Sequence, residues 1–221
     1  MEFLLQKLSG KLSSVCLALI LVTFFPLQAV ASTFSNFFFF GDSLADSGNV
    51  FYALEGEITV PPFGALVPPR PYASKTFSNE RVWTQYLAQL NDLSARAFLN
   101  PSIPGTNFAF GGALNQPLAQ IPSPSLEEQF AFWQQATGNT ADPNAVYFLQ
   151  GGGNDIRIAA TLDNLLATAL LQNAVNSIDK IITGLIEAGA TNIVVINSPD
   201  IGLTPDAVAR GIDSQATTFS E

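Results

Sequence analysis

The stretch Phe37–Asn49, FFFFGDSLADSGN, runs four phenylalanines directly into a glycine, an aspartate and a serine. An apolar run without polar alternation is typical of a central strand in a parallel sheet, because both faces of such a strand are buried. We therefore predict a strand over Thr33–Phe40. Ligands of open α/β sheets bind beyond the carboxyl ends of the strands, and Ser43 follows this strand.

Three further strands and three helices are predicted, and they alternate along the chain. The strands are Asn107–Phe110, Ala145–Leu149 and Ile193–Ile196. The helices are Asn79–Leu90, Ser125–Thr137 and Leu162–Ala188. Ser125 and Glu128 form a capping-box pattern at the second helix, and Gly138 ends it. This order predicts an α/β fold with a parallel sheet.

Helical spacing also predicts which faces are buried. For the first helix the inward residues are Trp83, Tyr86, Leu87 and Leu90. For the third helix they are Leu166, Ala169, Leu170, Ile178, Ile181, Ile182 and Leu185. Residues 58–72 are rich in proline and predict an irregular surface loop. After Pro205 no further strand follows, so the last strand has an uncovered edge and the fold looks unfinished.

The composition excludes several classes of function. The chain has 221 residues, 48% hydrophobic and 12% charged, with a formal net charge of −9. So acidic a chain argues against nucleic acid and anionic membranes as partners. It contains no histidine, and Cys16 is its one cysteine. Zinc and haem sites, which rely on these side chains, are therefore not expected, and we predict no cofactor.

The N-terminus has the pattern of a secretory signal peptide. Lys7 and Lys11 precede an apolar run over Val15–Leu27, and the small residues Ala29-Val30-Ala31 follow it. The alternative is a membrane anchor, but the run is short for a span and Pro26 interrupts it. We predict a signal peptide over residues 1–31, cleavage after Ala31, and a secreted or periplasmic domain over residues 32–221 with no stable membrane span.

Three predicted strands end in small or polar residues. These residues are Gly41-Asp42-Ser43, Gly111-Gly112 and Gly151-Gly152-Gly153-Asn154-Asp155. A parallel sheet brings these ends to one rim, where a hydroxyl, free backbone N–H groups and a carboxamide would meet. Acyl transfer needs such groups, because the hydroxyl attacks and the N–H groups stabilise the oxyanion.

Each motif also has a simpler structural interpretation. Ser43 alone would most often cap a helix, and Gly111-Gly112 would form a tight turn. Gly151–Gly153 could be a phosphate loop, but no Lys-Ser/Thr pair follows it. Asn154 or Asp155 could cap a helix, and Asp46 and Asn49 could brace the first loop. Their joint occurrence at successive strand ends favours the catalytic interpretation.

Five segments together resemble the GDSL lipase/esterase family, also called SGNH hydrolases. They are FGDSLADSGN, TFSNERVWTQYLA, NFAFGGA, GGGND and VVINSPDIGLTP, which begin at Phe40, Thr76, Asn107, Gly151 and Val194. Glu80 stands where the family often has glycine. The resemblance extends from residue 33 to about residue 206 and implies a three-layer αβα, flavodoxin-like fold with a central parallel sheet.

The resemblance also implies roles for individual residues. Ser43 would be the nucleophile, and its N–H, the Gly112 N–H and the Asn154 side chain would form the oxyanion hole. Gly111 is the alternative to Gly112 as the second N–H donor. Asp42, Gly111 and Asp155 would support the site. The substrate would be a small-molecule or lipid ester, and the family implies no cofactor.

One feature of the family is missing. Its general base is a histidine in a late Asp-x-x-His block, and this chain contains no histidine. We interpret the chain as a member lacking the last strand, the last helix and the base, and we expect it to be nearly inactive by itself. The alternative hypothesis is a non-catalytic secreted module that binds acyl or glycan ligands. A flavodoxin-like nucleotide binder is disfavoured, because no strand end offers a phosphate loop with a cation.

Overall fold

The computed structural model describes residues 34–54 and 75–221. The three strands are β1 (Phe37–Gly41), β2 (Val146–Gln150) and β3 (Asn192–Ile196). The helices are α1 (Asn49–Ala53), α2 (Trp83–Leu90), α3 (Leu126–Thr137), α4 (Gly153–Ala159), α5 (Asn164–Glu187), α6 (Pro205–Arg210) and α7 (Asp213–Ser220), with a 3-10 helix at Ile201–Leu203. The predicted signal segment (1–31), the start of the first predicted strand and the proline-rich loop (58–72) lie outside the described residues.

The strands form a parallel sheet in the order β1-β2-β3, with Gly41 opposite Gln150 and Gln150 opposite Ile196. The α/β prediction is therefore confirmed, and the three strand ends lie side by side. The four phenylalanines of β1 alternate between the two faces. Phe40 belongs to the core cluster that contains α3 and α5 residues, and Phe37 and Phe39 belong to the cluster that contains α2 residues. Helices thus cover both faces, which makes the three layers.

The predicted strand Asn107–Phe110 is wrong as a strand, although the segment lies where a strand would. Asn107 forms only isolated parallel bridges, one with Phe39 and one with Ala97. The Phe39 N–H donates to the Thr106 carbonyl (3.1 Å), and the Phe110 N–H donates to the Gly41 carbonyl (3.0 Å). The segment leaves β1 after these contacts because the chain turns at Gly111-Gly112.

Two predicted helix faces are partly wrong. On α2 the buried residues are Thr84 and Ala88, whereas Tyr86 is exposed and Leu90 is 83% exposed. On α5, Ile181 and Leu185 are buried as predicted. In the N-terminal part of α5 the buried side chains are small, and the predicted inward residues Leu166 and Ala169 are exposed. The buried small residues there are Ala167, Ala174 and Ser177.

The sheet edge at β3 is the least covered part of the sheet. Val194 and Val195 are exposed, and β3 pairs only with β2 within residues 34–54 and 75–221. Within the same residues, no helix combines the length and apolar character that crossing a membrane requires.

Candidate active site

The end of β1 is held rigidly by α3. The Gly41 N–H donates to Gln129 Oε1 (2.9 Å), and Gln129 Nε2 donates to the Gly41 carbonyl (2.9 Å). A Cβ on residue 41 would lie 2.8 Å from the Gln150 carbonyl oxygen, so only glycine fits beside β2. The backbone that leads to Ser43 is therefore fixed by contacts on both sides.

Ser43 lies in the turn that follows β1. The buried Asp42 carboxylate accepts the Leu44 N–H (2.9 Å) and Gln150 Nε2 (3.1 Å), which holds the turn against β2. Ser43 does not cap a helix, because α1 begins at Asn49 with Gly48 at its N-cap. Among the described residues, neither the Ser43 N–H nor its hydroxyl has a hydrogen-bond partner. The residue itself is half-buried.

Asp46 braces the loop, as one of the sequence interpretations predicted. Its buried carboxylate accepts four backbone N–H groups: Gly48 (2.7 Å), Asn49 (2.6 Å), Val50 (3.2 Å) and Gly111 (3.0 Å). Burial raises the pKa of Asp46 to about 6, against the lowering effect of these hydrogen bonds. The Gly111 N–H is thus already engaged.

Asn49 and Asn107 fasten the same loop to the segment beside β1. Asn49 Nδ2 donates to the Asn107 and Ala109 carbonyls (2.8 Å each), and Asn107 Nδ2 donates to the Ala45 carbonyl (2.7 Å). Both side chains are fully buried. The loop that contains Ser43 and the turn that contains Gly112 therefore form one hydrogen-bonded unit.

Gly112 differs from its neighbour in both backbone and hydrogen bonding. Its φ is 80°, which favours glycine, and the residue is exposed, whereas Gly111 is buried against the Phe77 ring. The Gly112 N–H has no acceptor in the described part of the chain. Of the two candidate glycines, Gly111 donates its N–H to Asp46, whereas Gly112 has no acceptor among the described residues.

Asn154 and Asp155 stand at the start of α4, which follows β2 after a turn at Gly152 (φ 98°). Asn154 Nδ2 donates one hydrogen to the Ala113 carbonyl (2.9 Å), which ties it to the residue after Gly112. Asp155 is fully buried and accepts the Asn115 N–H at 3.2–3.3 Å. Burial raises the pKa of Asp155 to about 6, and the nearby Asp42 charge adds to this.

A cavity of about 870 Å³ opens beside these residues. Its wall includes Gly111, Gly112 and Asn154, but Ser43 is not among the described residues that line it. Most of the remaining wall is apolar, with Val50, Leu54, Phe98, Phe110, Leu114, Ile121, Phe132 and Ile158. Within residues 34–54 and 75–221, no group of three histidine, cysteine or acidic side chains could hold a metal ion.

Sequence reasoning did not identify the buried amides that support the site. Gln129 bonds Gly41, Gln150 bonds Asp42, and Asn115 Nδ2 donates to the Ala174 carbonyl (3.3 Å). Gln150 ends the apolar strand AVYFLQ, and a polar residue at that position was a signal that could have been used. Gln129 and Asn115 offer no comparable local signal, because their partners lie far away in the sequence.

Comparison with known proteins gives a consistent result. The family model described as GDSL-like Lipase/Acylhydrolase matches residues 37–220. Lipase 1 of Photorhabdus luminescens is 27% identical over 176 residues, which cover 79% of this chain and 24% of that protein. A GDSL esterase/lipase of Arabidopsis thaliana is 27% identical over 192 residues, with coverages of 75% and 53%.

A third relative is the Thermolabile hemolysin of Vibrio parahaemolyticus, 27% identical over 171 residues, with coverages of 75% and 34%. The chain spans about half the length of the plant relative and less of the two bacterial ones. The family match covers most of the chain and includes all three strands. The chain therefore belongs to the GDSL-like lipase/acylhydrolase family, a family of ester-bond hydrolases.

Proposed function

We propose that Ser43 is the nucleophile of a carboxylic-ester hydrolase. The Ser43 N–H, the Gly112 N–H and Asn154 Nδ2 are proposed to form its oxyanion hole. The observation that carries this proposal is the division of backbone donors at the rim. Asp46 engages the Gly111 N–H, whereas the Ser43 and Gly112 N–H groups have no acceptor in the described residues. Asn154 Nδ2 has two hydrogens and donates one to Ala113, so the second is available.

The proposed chemistry has two steps. Ser43 Oγ attacks the ester carbonyl, a base takes the hydroxyl proton, and the alcohol leaves with a proton from that base. Water then attacks the acyl-serine as the base takes a proton from it, and the base returns this proton to Ser43 Oγ when the acid is released. Asp42, Gly111 and Asp155 do not react in this scheme; Asp42 and Asp155 hold the turns in place, and Gly111 anchors the Gly112 turn to Asp46.

The proton acceptor is the missing component. The 221 residues contain no histidine, so we propose that this chain by itself is nearly inactive. Removal of the histidine from a serine triad has cost up to about 10⁶ in turnover, and about 10³–10⁴ over water remained from the oxyanion hole and binding. The apolar cavity supports an acyl group as the part of the small-molecule or lipid ester that enters the protein.

Imidazole rescue tests this proposal. Hydrolysis of p-nitrophenyl esters with short and medium acyl chains is measured for the chain and for Ser43→Ala, with and without imidazole. We expect little turnover without imidazole, and a rise with imidazole in the native chain that Ser43→Ala lacks. Ordinary enzymatic rates without imidazole would contradict the proposed inactivity. An equal response of both proteins to imidazole would contradict Ser43 as the nucleophile.

A second candidate function is a non-catalytic module that binds acyl or glycan ligands. The absence of histidine together with the apolar cavity favours it. This function predicts binding of a fatty acid or an oligosaccharide, measured by calorimetry, without any turnover that depends on both imidazole and Ser43.

We propose further that the chain is exported and that its signal peptide is removed after Ala31. The basic, apolar and small-residue regions before Ser32 support this. Expression in a bacterium and mass spectrometry of the exported protein test it. The expected N-terminus is Ser32, and a product that retains Met1 would contradict the proposal.

A further inference from the structure

A second cleft, of about 500 Å³, lies beside α2 and is lined mainly by polar side chains. Three of its residues are cations: Lys75, Arg81 and Arg96. The whole chain has 9 basic and 18 acidic residues, so composition alone does not predict a cationic cluster. No acidic residue lines the cleft in the described part of the chain, although the exposed Glu80 and Asp92 are close in sequence.

The three cations also have no carboxylate partners among the described residues. The ion pairs there involve Arg157, Lys180 and Arg210 instead. Unpaired cations that surround one concave surface attract an anion more strongly than scattered surface charges do.

The Ser47 hydroxyl gives an independent indication of a ligand. Ser47 lines the cleft, is 9% exposed, and its Oγ is buried without a hydrogen-bond partner in the described residues. Because an unpaired buried hydroxyl is costly, such a group calls for a partner. A hydroxyl can donate to an anion that enters the cleft.

Neighbouring side chains position two of the cations. Lys75 Nζ donates to Tyr52 Oη (3.3 Å) and lies 4.8 Å from the centroids of the Phe51 and Tyr52 rings. Asn100 Nδ2 also donates to Tyr52 Oη (3.3 Å), so the phenol can direct its own hydrogen elsewhere. Arg81 is held by a hydrogen bond from its Nη1 to Gln89 Oε1.

We infer that this cleft binds a phosphate group. It offers two guanidinium groups, an ammonium group and a buried hydroxyl, and guanidinium forks match the oxygens of phosphate. The cleft shares no lining residue with the apolar cavity, and α1 contributes Tyr52 to the cleft and Val50 and Ala53 to the cavity. The phosphate site is therefore spatially distinct from the apolar cavity.

Titration calorimetry of the full chain tests the site, with inorganic phosphate, glycerol 3-phosphate and vesicles that contain phosphatidic acid as separate ligands. Phosphatidylcholine vesicles are the lipid control. Binding of the soluble phosphates would identify a free phosphate as the source, and binding of the phosphatidic acid vesicles alone would identify a lipid headgroup. Absence of binding in all arms would overturn the inference.

Variants connect the binding to the cleft. We expect the double variant Arg81→Gln/Arg96→Gln to weaken phosphate binding at least about tenfold. Each guanidinium group would form charge-assisted hydrogen bonds with the phosphate, and these bonds are stronger than those between neutral groups. Ser47→Ala is expected to weaken it about fivefold. Lys180→Gln removes a cation elsewhere and should change the affinity less than about twofold. If Lys180→Gln weakened phosphate binding as much as the double variant, the site would be overturned. If the double variant does not fold, Lys75→Gln takes its place.

Discussion

The carboxylates at the rim are held by N–H groups and not by cations. Asp42, Asp46 and Asp155 are buried, and their hydrogen-bond partners are backbone N–H groups and the Gln150 amide. Desolvation is the largest influence on each and raises all three pKa values. The loops of the site are thus ordered at the cost of burying charge.

This arrangement predicts that acidification stabilises the fold between about pH 6 and pH 4. The pKa values of Asp46 and Asp155 rise from 3.8 to about 6 on folding, so the folded chain binds more protons than the unfolded chain in this window. The free energy of unfolding therefore falls as pH rises through it and is lowest above pH 6. Carboxyls with lowered pKa values, such as Glu127 and Asp206, act in the opposite direction but mainly below about pH 4.5.

Thermal unfolding from pH 7 to pH 5 is the measurement. The melting temperature of the native chain should rise on acidification. Asp155→Asn should reduce this rise, because it removes one carboxyl whose pKa is raised by folding. Asp179→Asn, an exposed position on α5, should follow the native chain. A native chain whose melting temperature does not rise, or an Asp155→Asn variant with the full native slope, would contradict the assignment.

At the scale of helices and strands, capping residues predicted the ends of α3 more accurately than helical spacing predicted the buried face of α2. The capping box of α3 is confirmed, with Ser125 accepting the Glu128 N–H and Gly138 in the left-handed conformation. Both ends are determined by residues adjacent in sequence. The inward face of α2 was partly wrong because Thr84 and Ala88 are buried in place of Tyr86 and Leu90, although Trp83 contacts Phe39 of β1 as predicted. Tertiary packing decides that rotation.

The cap itself can be tested. We expect Ser125→Ala to lower the free energy of unfolding by about 1 kcal/mol, because the Glu128 N–H loses its acceptor. Ser102→Ala, in an exposed loop, should have an effect within about 0.5 kcal/mol of zero. Chemical denaturation measures both, and equal effects of the two variants would contradict the capping role.

Gln129 connects α3 to the end of β1, and the turn that contains Ser43 follows directly. We expect Gln129→Met, which keeps the side-chain size, to cost about 2–3 kcal/mol, because the buried Gly41 N–H loses its partner. Gln135→Met, an exposed position on the same helix, should cost less than about 0.5 kcal/mol. Denaturant titration of both variants checks this, and a Gln129→Met variant as stable as the native chain would contradict it.

At the scale of the whole molecule, the layers of the fold could be predicted from the sequence, whereas the buried polar contacts could not. Alternating strands and helices and the apolar β1 indicated the parallel sheet, and this is confirmed. The Ser43, Gly112 and Asn154 roles remain proposals. The contacts of Gln129, Gln150 and Asn115 join residues distant in sequence, and no periodic pattern encodes them. The phosphate cleft was missed for the same reason, since Ser47, Arg81 and Arg96 come together only in the fold.

The β3 edge has a consequence for association. Val195 is 45% exposed on a strand that, in the described residues, has a neighbour on one side only. Open, apolar strand edges pair with other chains, and a lysine on the edge opposes this. We expect Val195→Lys to slow aggregation of the concentrated protein severalfold, measured by light scattering, without loss of the native circular dichroism spectrum.

Val208→Lys is the matched control for this prediction. Val208 is 61% exposed and lies on α6, away from the sheet, and either substitution adds one positive charge. If the edge causes association, Val208→Lys should aggregate like the native chain, because the added charge alone leaves β3 unchanged. Equal slowing by both variants would show that net charge governs association, and it would contradict the role assigned to the β3 edge.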